Sequence, residues 1–168
     1  RFALDLRLFG ESDGAIRLGI GSRFWLPTGS QSDYLGDGSA RIAPHINLAG
    51  DIGSASSAFA YSARLGTNIR LRDQPFADAA VGSEMFLGLA AGAHVLDRKL
   101  MIGPELNVWT TLGSNPDGTA SAFGRKSTPV EILGGVHYTA GPVRFGGGIG
   151  TGLTRGFGSP QARVLLNV

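Results

Sequence analysis

Cysteine is absent from the chain, which excludes a disulfide framework and a thiolate metal site. Lysine is nearly absent: Lys99 and Lys126 stand against 13 arginines. Charged residues make up 17%, well below the quarter usual in soluble domains. No apolar run approaches the roughly 18–20 residues that a membrane helix needs. The net charge is only +2 and no basic run exists, so no nucleic-acid partner is expected. The chain opens directly on "RFALDLRLF" without a leader pattern, and it reads as a mature protein or a fragment of one.

Glycine is what the chain has in excess, at 27 of 168 residues, roughly twice the usual share. Arginine suits enclosed ion pairs because its planar fork makes several directed hydrogen bonds, whereas lysine is a strongly hydrated point charge. A GC-rich genome would also favour arginine, so this bias carries weight only beside the strand pattern.

That pattern has period two. In "FAYSARLGTNIRLR" one set of alternate residues is Phe, Tyr, Ala, Leu, Thr, Ile, Leu and the other is Ala, Ser, Arg, Gly, Asn, Arg, Arg. Such alternation is a strand with one apolar and one polar face. Nine segments read this way: 2–9, 15–26, 40–50, 59–72, 83–96, 100–112, 128–139, 143–153 and 161–168. None shows a sustained 3.6-residue period with helix caps, so no helix is expected, and no linker divides 1–168 into two domains.

The two faces keep their character from strand to strand. One carries Leu6, Leu18, Ile20, Ile46, Leu65, Ile69, Leu89, Leu106, Val108, Ile132, Val136, Ile149 and Val164. The other carries Arg7, Arg17, Arg23, Arg41, His45, Arg64, Arg70, Glu84, His94, Glu105, Glu131, His137, Arg144 and Arg163, with glycine or alanine at most remaining places. A solvated face would be rich in lysine, glutamate and threonine. Small residues mixed with Arg, His, Asn and Glu suit a crowded interior, where each charge needs a partner and large side chains need room. The first face is then lipid-facing, where a charge costs roughly 2–4 kcal/mol at the midplane, and the second lines a lumen.

Connections alternate between short and long, as outer-membrane barrels alternate periplasmic turns with surface loops. The expected fold is all-β, an antiparallel up-and-down transmembrane β-barrel with about nine strands in this chain. An odd count starting from the outside breaks the even-number rule, so the chain is expected to be part of a ten- or twelve-stranded barrel. Phe2, Phe24 and Trp25 fall at outer strand ends and Phe59, Tyr138 and Phe145 at periplasmic ends, where interface girdles place aromatics.

Within the lumen, a symmetric hairpin sets Arg70 opposite Glu84, with Arg64 deeper. His137 is expected near Arg144, with Glu105 and Glu131 as acceptors for the basic side chains. The interior network is weighed against an anion-selecting pore. His94 and His137 lie near the periplasmic end and His45 nearer the middle, all on different strands, so the three read as network members and no metal site and no cofactor are expected. Asp33 and Asp37 lie in a glycine-rich loop whose spacing does not match an EF-hand. "GGGIGTG" lacks the strand–turn–helix context of a dinucleotide site. No Gly-x-Ser-x-Gly nucleophile motif is read in the chain and no Asp–His pair falls at one loop rim, so no catalytic residue and no enzyme are expected.

The stretches "FWLPTGS", "GDGSARIAPHINLAGDIG", "VGSEMFLGLAAGAHVLDRKLMIGPEL", "TPVEILGGVHY" and "GGGIGTGLTRGFGSPQARVLLNV" together resemble the N-terminal barrel domain of large OmpA-family proteins of deltaproteobacterial, myxobacterial type. The resemblance spans essentially the whole chain. It implies about three further strands upstream and a downstream periplasmic peptidoglycan-binding domain. The implied location is the bacterial outer membrane, among outer-membrane lipid, lipopolysaccharide and other envelope proteins. The function expected is membrane anchor and surface-loop scaffold, the alternative a passive diffusion channel for small solutes.

Overall fold

The computed structural model describes residues 1–29, 39–71, 82–113, 122–124, 127–154 and 159–168. Arg72, Lys126 and the loop aspartates Asp33 and Asp37 lie outside the described residues. The described chain is all-β. Strands β1 (Phe2–Phe9), β2 (Arg17–Trp25), β3 (Arg41–Gly53), β4 (Ala58–Arg70), β5 (Glu84–Val95), β6 (Leu100–Thr111), β7 (Val130–Ala140), β8 (Val143–Gly152) and β9 (Arg163–Asn167) follow one another. They form one nine-stranded sheet in sequence order, and every neighbouring pair is antiparallel. This is the up-and-down architecture of a barrel wall, open between β1 and β9.

The alternation read from the sequence forms these strands because each Cβ leaves the opposite side of the pleat from its neighbour. The turns differ in chemistry: 96–99 has neither glycine nor proline and holds Leu96, Asp97 and Arg98 at positive φ. The β7–β8 hairpin closes on Gly141, whose φ of 59° is a left-handed conformation costly for a side chain. Pro142 follows it. The connections 10–16, 54–57, 96–99 and 141–142 alternate with the longer 26–40, 71–83, 112–129 and 153–162. β3 runs three residues beyond its expected end at 50, to Gly53.

Proline in mid-strand has a local effect. Pro44 lies inside β3 and has no N–H to give. The β3–β4 register therefore passes from Ile42↔Ile69 to His45↔Gly66 without pairing Ala43 or Pro44, as the missing donor requires.

The packing is inverted relative to a soluble sheet. The buried apolar side chains among the described residues are small or single: Ala43, Ala58, Ala60 and Leu133. Ile46 is 52% exposed and Leu65 49%, whereas His45 is 4% exposed and Glu131 3%. The pairing register explains the division. Arg17, Arg23, Arg41, His45, Arg64, Glu84, Glu131 and their partners in the polar set share one face of the sheet. Ile20, Ile46, Leu65, Leu89, Leu106 and Ile132 share the other, in rows of register neighbours.

Candidate functional site

The polar face carries the candidate site, and its chemistry begins with glycine. Asp5 on β1 reaches His45 on β3 over the top of β2, because the residue between them is Gly21. A Cβ at Gly21 would collide with Asp5 Oδ1 and lie 2.7 Å from His45 Nε2. With the space left open, His45 Nε2 lies 2.6 Å from Asp5 Oδ1 and donates to it. Arg64 Nη2 stands 2.7 Å from the same ring nitrogen and 3.9 Å from Asp5 Oδ1. Asn47 Nδ2 donates to Asp5 Oδ1 at 3.4 Å. His45 Nδ1 lies 3.1 Å from the Ala43 carbonyl. Contacts between side chains two strands apart require the sheet to curl toward this face, as a barrel wall does.

The same device recurs near the short turns. Arg17 Nη1 is 2.8 Å from Asp51 Oδ2. His94 Nε2 on β5 approaches Asp51 Oδ1 at 3.9 Å, reaching over β4 where Ala58 and Ala60 are both buried. On the far wall, Arg163 Nη2 donates to Glu131 Oε1 at 3.0 Å, while Glu131 Oε2 is buried without a partner among the described residues. A single guanidinium thus bonds one oxygen of a carboxylate that is almost wholly enclosed.

Several juxtapositions differ from the sequence reading. Glu84 pairs in register with Asn68, not Arg70, and Asn68 Nδ2 donates to Glu84 Oε2 at 3.2 Å. The hairpin over 71–83 is offset by one inward-facing position, so Arg70 instead lies opposite Arg41 across β3–β4. Arg144 pairs with Thr139, and His137 with Gly146. The two-residue turn makes Ala140↔Val143 the first pair, which fixes everything below it. Gly146 then serves His137 and Asn167: a Cβ there would collide with Asn167 Oδ1 and lie 2.6 Å from His137 Nδ1. Glu105 is exposed and lies opposite Leu133, so it accepts from no basic side chain among the described residues. Arg7 bonds Ser12 Oγ at 2.7 Å at the β1–β2 turn. Trp25 ends β2 beside a long connection, as expected, but on the opposite face of the sheet from Phe24. Adjacent residues alternate, and Trp25 takes the inner side, with the Arg1 guanidinium 5.7 Å from its ring centre.

Two acidic partners escaped the sequence reading. Asp5 is two residues from Arg7 and so has the same parity, which counting by twos exposes. Asp51 became visible only because β3 continues past residue 50. Contrary to the sequence reading that no Gly-x-Ser-x-Gly occurs, Gly10-Glu11-Ser12-Asp13-Gly14 has that spacing. That motif presents a nucleophile only on a strand-to-helix turn with a base beside it. Here it joins two strands, and Ser12 Oγ accepts from Arg7. Among the described residues no cluster of His, Asp and Glu is arranged to hold a metal ion.

Higher on the same face, toward the long connections, lies a pocket of about 260 Å³. Its walls are β2 and β5–β6, and its floor is β3–β4. Trp25, Phe86 and Trp109 supply aromatic surface, and Arg23, Asn68 and Glu84 supply polar groups. Phe86 and Trp109 are cross-strand partners. Phe86 lies down over Gly66, where a Cβ would stand 2.6 Å from its ring and 2.7 Å from His45 Cβ. No family model, no characterised protein and no solved structure matches this chain.

Proposed function

We propose that the chain is an outer-membrane β-barrel wall of an OmpA-like protein, acting as a membrane anchor and a scaffold for surface loops. The observation that carries this reading is the inverted packing: large aliphatic side chains exposed on one face, with His45 and Glu131 buried and Arg17, Asp51 and Arg64 half-buried on the other. In water such a sheet would lose the hydrophobic term that holds most folds together. In a bilayer the same arrangement satisfies both solvents, with lipid outside and a self-paired polar network inside. Outer-membrane lipid and lipopolysaccharide are the partners of the outward face. The sequence resemblance supplies peptidoglycan, through a separate domain, and other envelope proteins as further partners.

The test is folding behaviour. Purified protein placed in phospholipid vesicles is expected to run on unheated SDS gels as a compact band that shifts on boiling. A monodisperse, folded monomer in detergent-free buffer would sink the proposal.

A second reading, passive diffusion of small solutes, rests on the far wall. There Gly135, Gly148, Gly150 and Gly152 occupy inward positions on β7 and β8 and leave that side of the interior thin. Planar-bilayer recordings decide between them. Steady single-channel steps support diffusion, and a silent membrane with folded protein supports the packed scaffold.

A further inference from the structure

The pocket between β2 and β5–β6 contains polar atoms that the chain itself leaves unused. Asn68 turns its amide nitrogen to Glu84, so its Oδ1 is buried without a partner, as is Arg64 Nε at the pocket floor. Arg23 makes no hydrogen bond or ion pair among the described residues. Buried polar groups are rarely left unsatisfied, and each orphan costs about 1–3 kcal/mol. An occupant of this pocket therefore offers donors as well as acceptors.

The walls narrow the class. Three aromatic rings give flat apolar faces, and a volume of about 260 Å³ admits one ring-sized molecule. Hydroxyl groups are the side groups that both donate and accept, so a polyhydroxylated ring answers Asn68 Oδ1 and Arg64 Nε together. Its C–H face lies against an aromatic ring. An aromatic acid would stack equally well but leave those atoms unpaired. Arg64 Nη2 is turned toward His45 and lies 3.9 Å from Asp5, whereas Arg23 has no hydrogen bond or ion pair among the described residues and keeps its guanidinium fork. A carboxylate is the group that matches it in two parallel bonds.

We propose that this pocket binds a single saccharide ring carrying a carboxylate, a uronate, with the ring on the Trp25–Phe86–Trp109 surface and the carboxylate on Arg23. The ligand is either a free sugar acid or the acidic end residue of a surface glycan, and both present the same chemistry. The site belongs to the inner face of the sheet and does not depend on whether the lumen conducts.

Trp25 and Trp109 are the two tryptophans of the chain, so intrinsic fluorescence reports on this pocket. Detergent-purified protein is titrated with glucuronate, glucose, acetate and methyl glucuronide. Glucuronate is expected to give a saturable change, glucose the same change with about tenfold weaker affinity, and acetate none. Arg23→Gln is expected to reduce glucuronate binding to the level of glucose and leave glucose unchanged. Trp109→Phe, which keeps a ring on the wall, is expected to retain calorimetric binding while losing part of the fluorescence signal. Methyl glucuronide binding as well as glucuronate identifies a glycan end, and its failure beside intact glucuronate binding identifies the free sugar. The proposal is overturned if no saccharide gives a saturable response from folded protein, if acetate competes at glucuronate's own midpoint, or if Arg23→Gln leaves glucuronate affinity untouched.

Discussion

Gly21 shows how a residue with no side chain governs an ionic contact. Asp5 and His45 meet because β2 presents only hydrogen between them, and Asp5 Oδ1 occupies space that any Cβ would fill. Gly21→Ala is expected to displace one of the two and to destabilise the fold by about 1–3 kcal/mol, the usual range for overpacking. Urea titration of protein folded in detergent micelles measures it. The companion variant Asp5→Ala leaves the enclosed His45 ring without its acceptor, at a cost of about 1–3 kcal/mol. Combined, the two losses are expected to fall short of their sum, because both act through one contact. Strict additivity would mean that Gly21 makes room for something other than this pair. The glycine excess and its place on the polar face were plain in the sequence, but only the register showed which large inward side chains Gly21, Gly66 and Gly146 make room for.

A strand of this sheet has two faces of opposite character, and β4 shows both. Leu65 faces out, paired with Ile46, while Ser62 faces in, paired with Ala49. Leu65→Arg is expected to cost about 2–4 kcal/mol of folding free energy in lipid vesicles. Ser62→Arg, three residues away on the other face, adds a charge where guanidinium groups are already accommodated and is expected to cost far less. Equal penalties would remove the lipid assignment of the outward face. Strand existence and facing were readable from alternation alone, because the period of two is a property of the backbone. Pairing was not. Arg70 missed Glu84 by one inward position, since register depends on how a connection folds and not on the strands it joins.

At the scale of the whole molecule, short and long connections lie at opposite ends of the sheet. The lack of native cysteine makes this testable by single-cysteine labelling. Thr28→Cys, at the start of a long connection, is expected to react with a membrane-impermeant maleimide on intact cells. Ala55→Cys, at an exposed position in a short turn, is expected to react only after the outer membrane is opened. Labelling of both, or of Ala55→Cys alone, would reverse or cancel the proposed orientation. The two edges carry a further consequence. β1 and β9 run in the same direction, being the first and last of an odd number of antiparallel strands. An antiparallel closure of such a sheet would therefore take an odd number of intervening strands.

The sequence by itself determined the strand content, the two faces and the inversion of apolar and polar sides. These follow from a backbone periodicity and from the segregation of charge onto one of its two faces, and both are local. Only the tertiary structure decided which charges meet. It brought Asp5 to His45, Asp51 to Arg17 and Glu131 to Arg163, and it gathered Trp25, Phe86 and Trp109 around one pocket. Those contacts join residues dozens of positions apart or cross an intervening strand. They depend on register, curl and the absence of a Cβ at a crossing point, none of which alternation encodes.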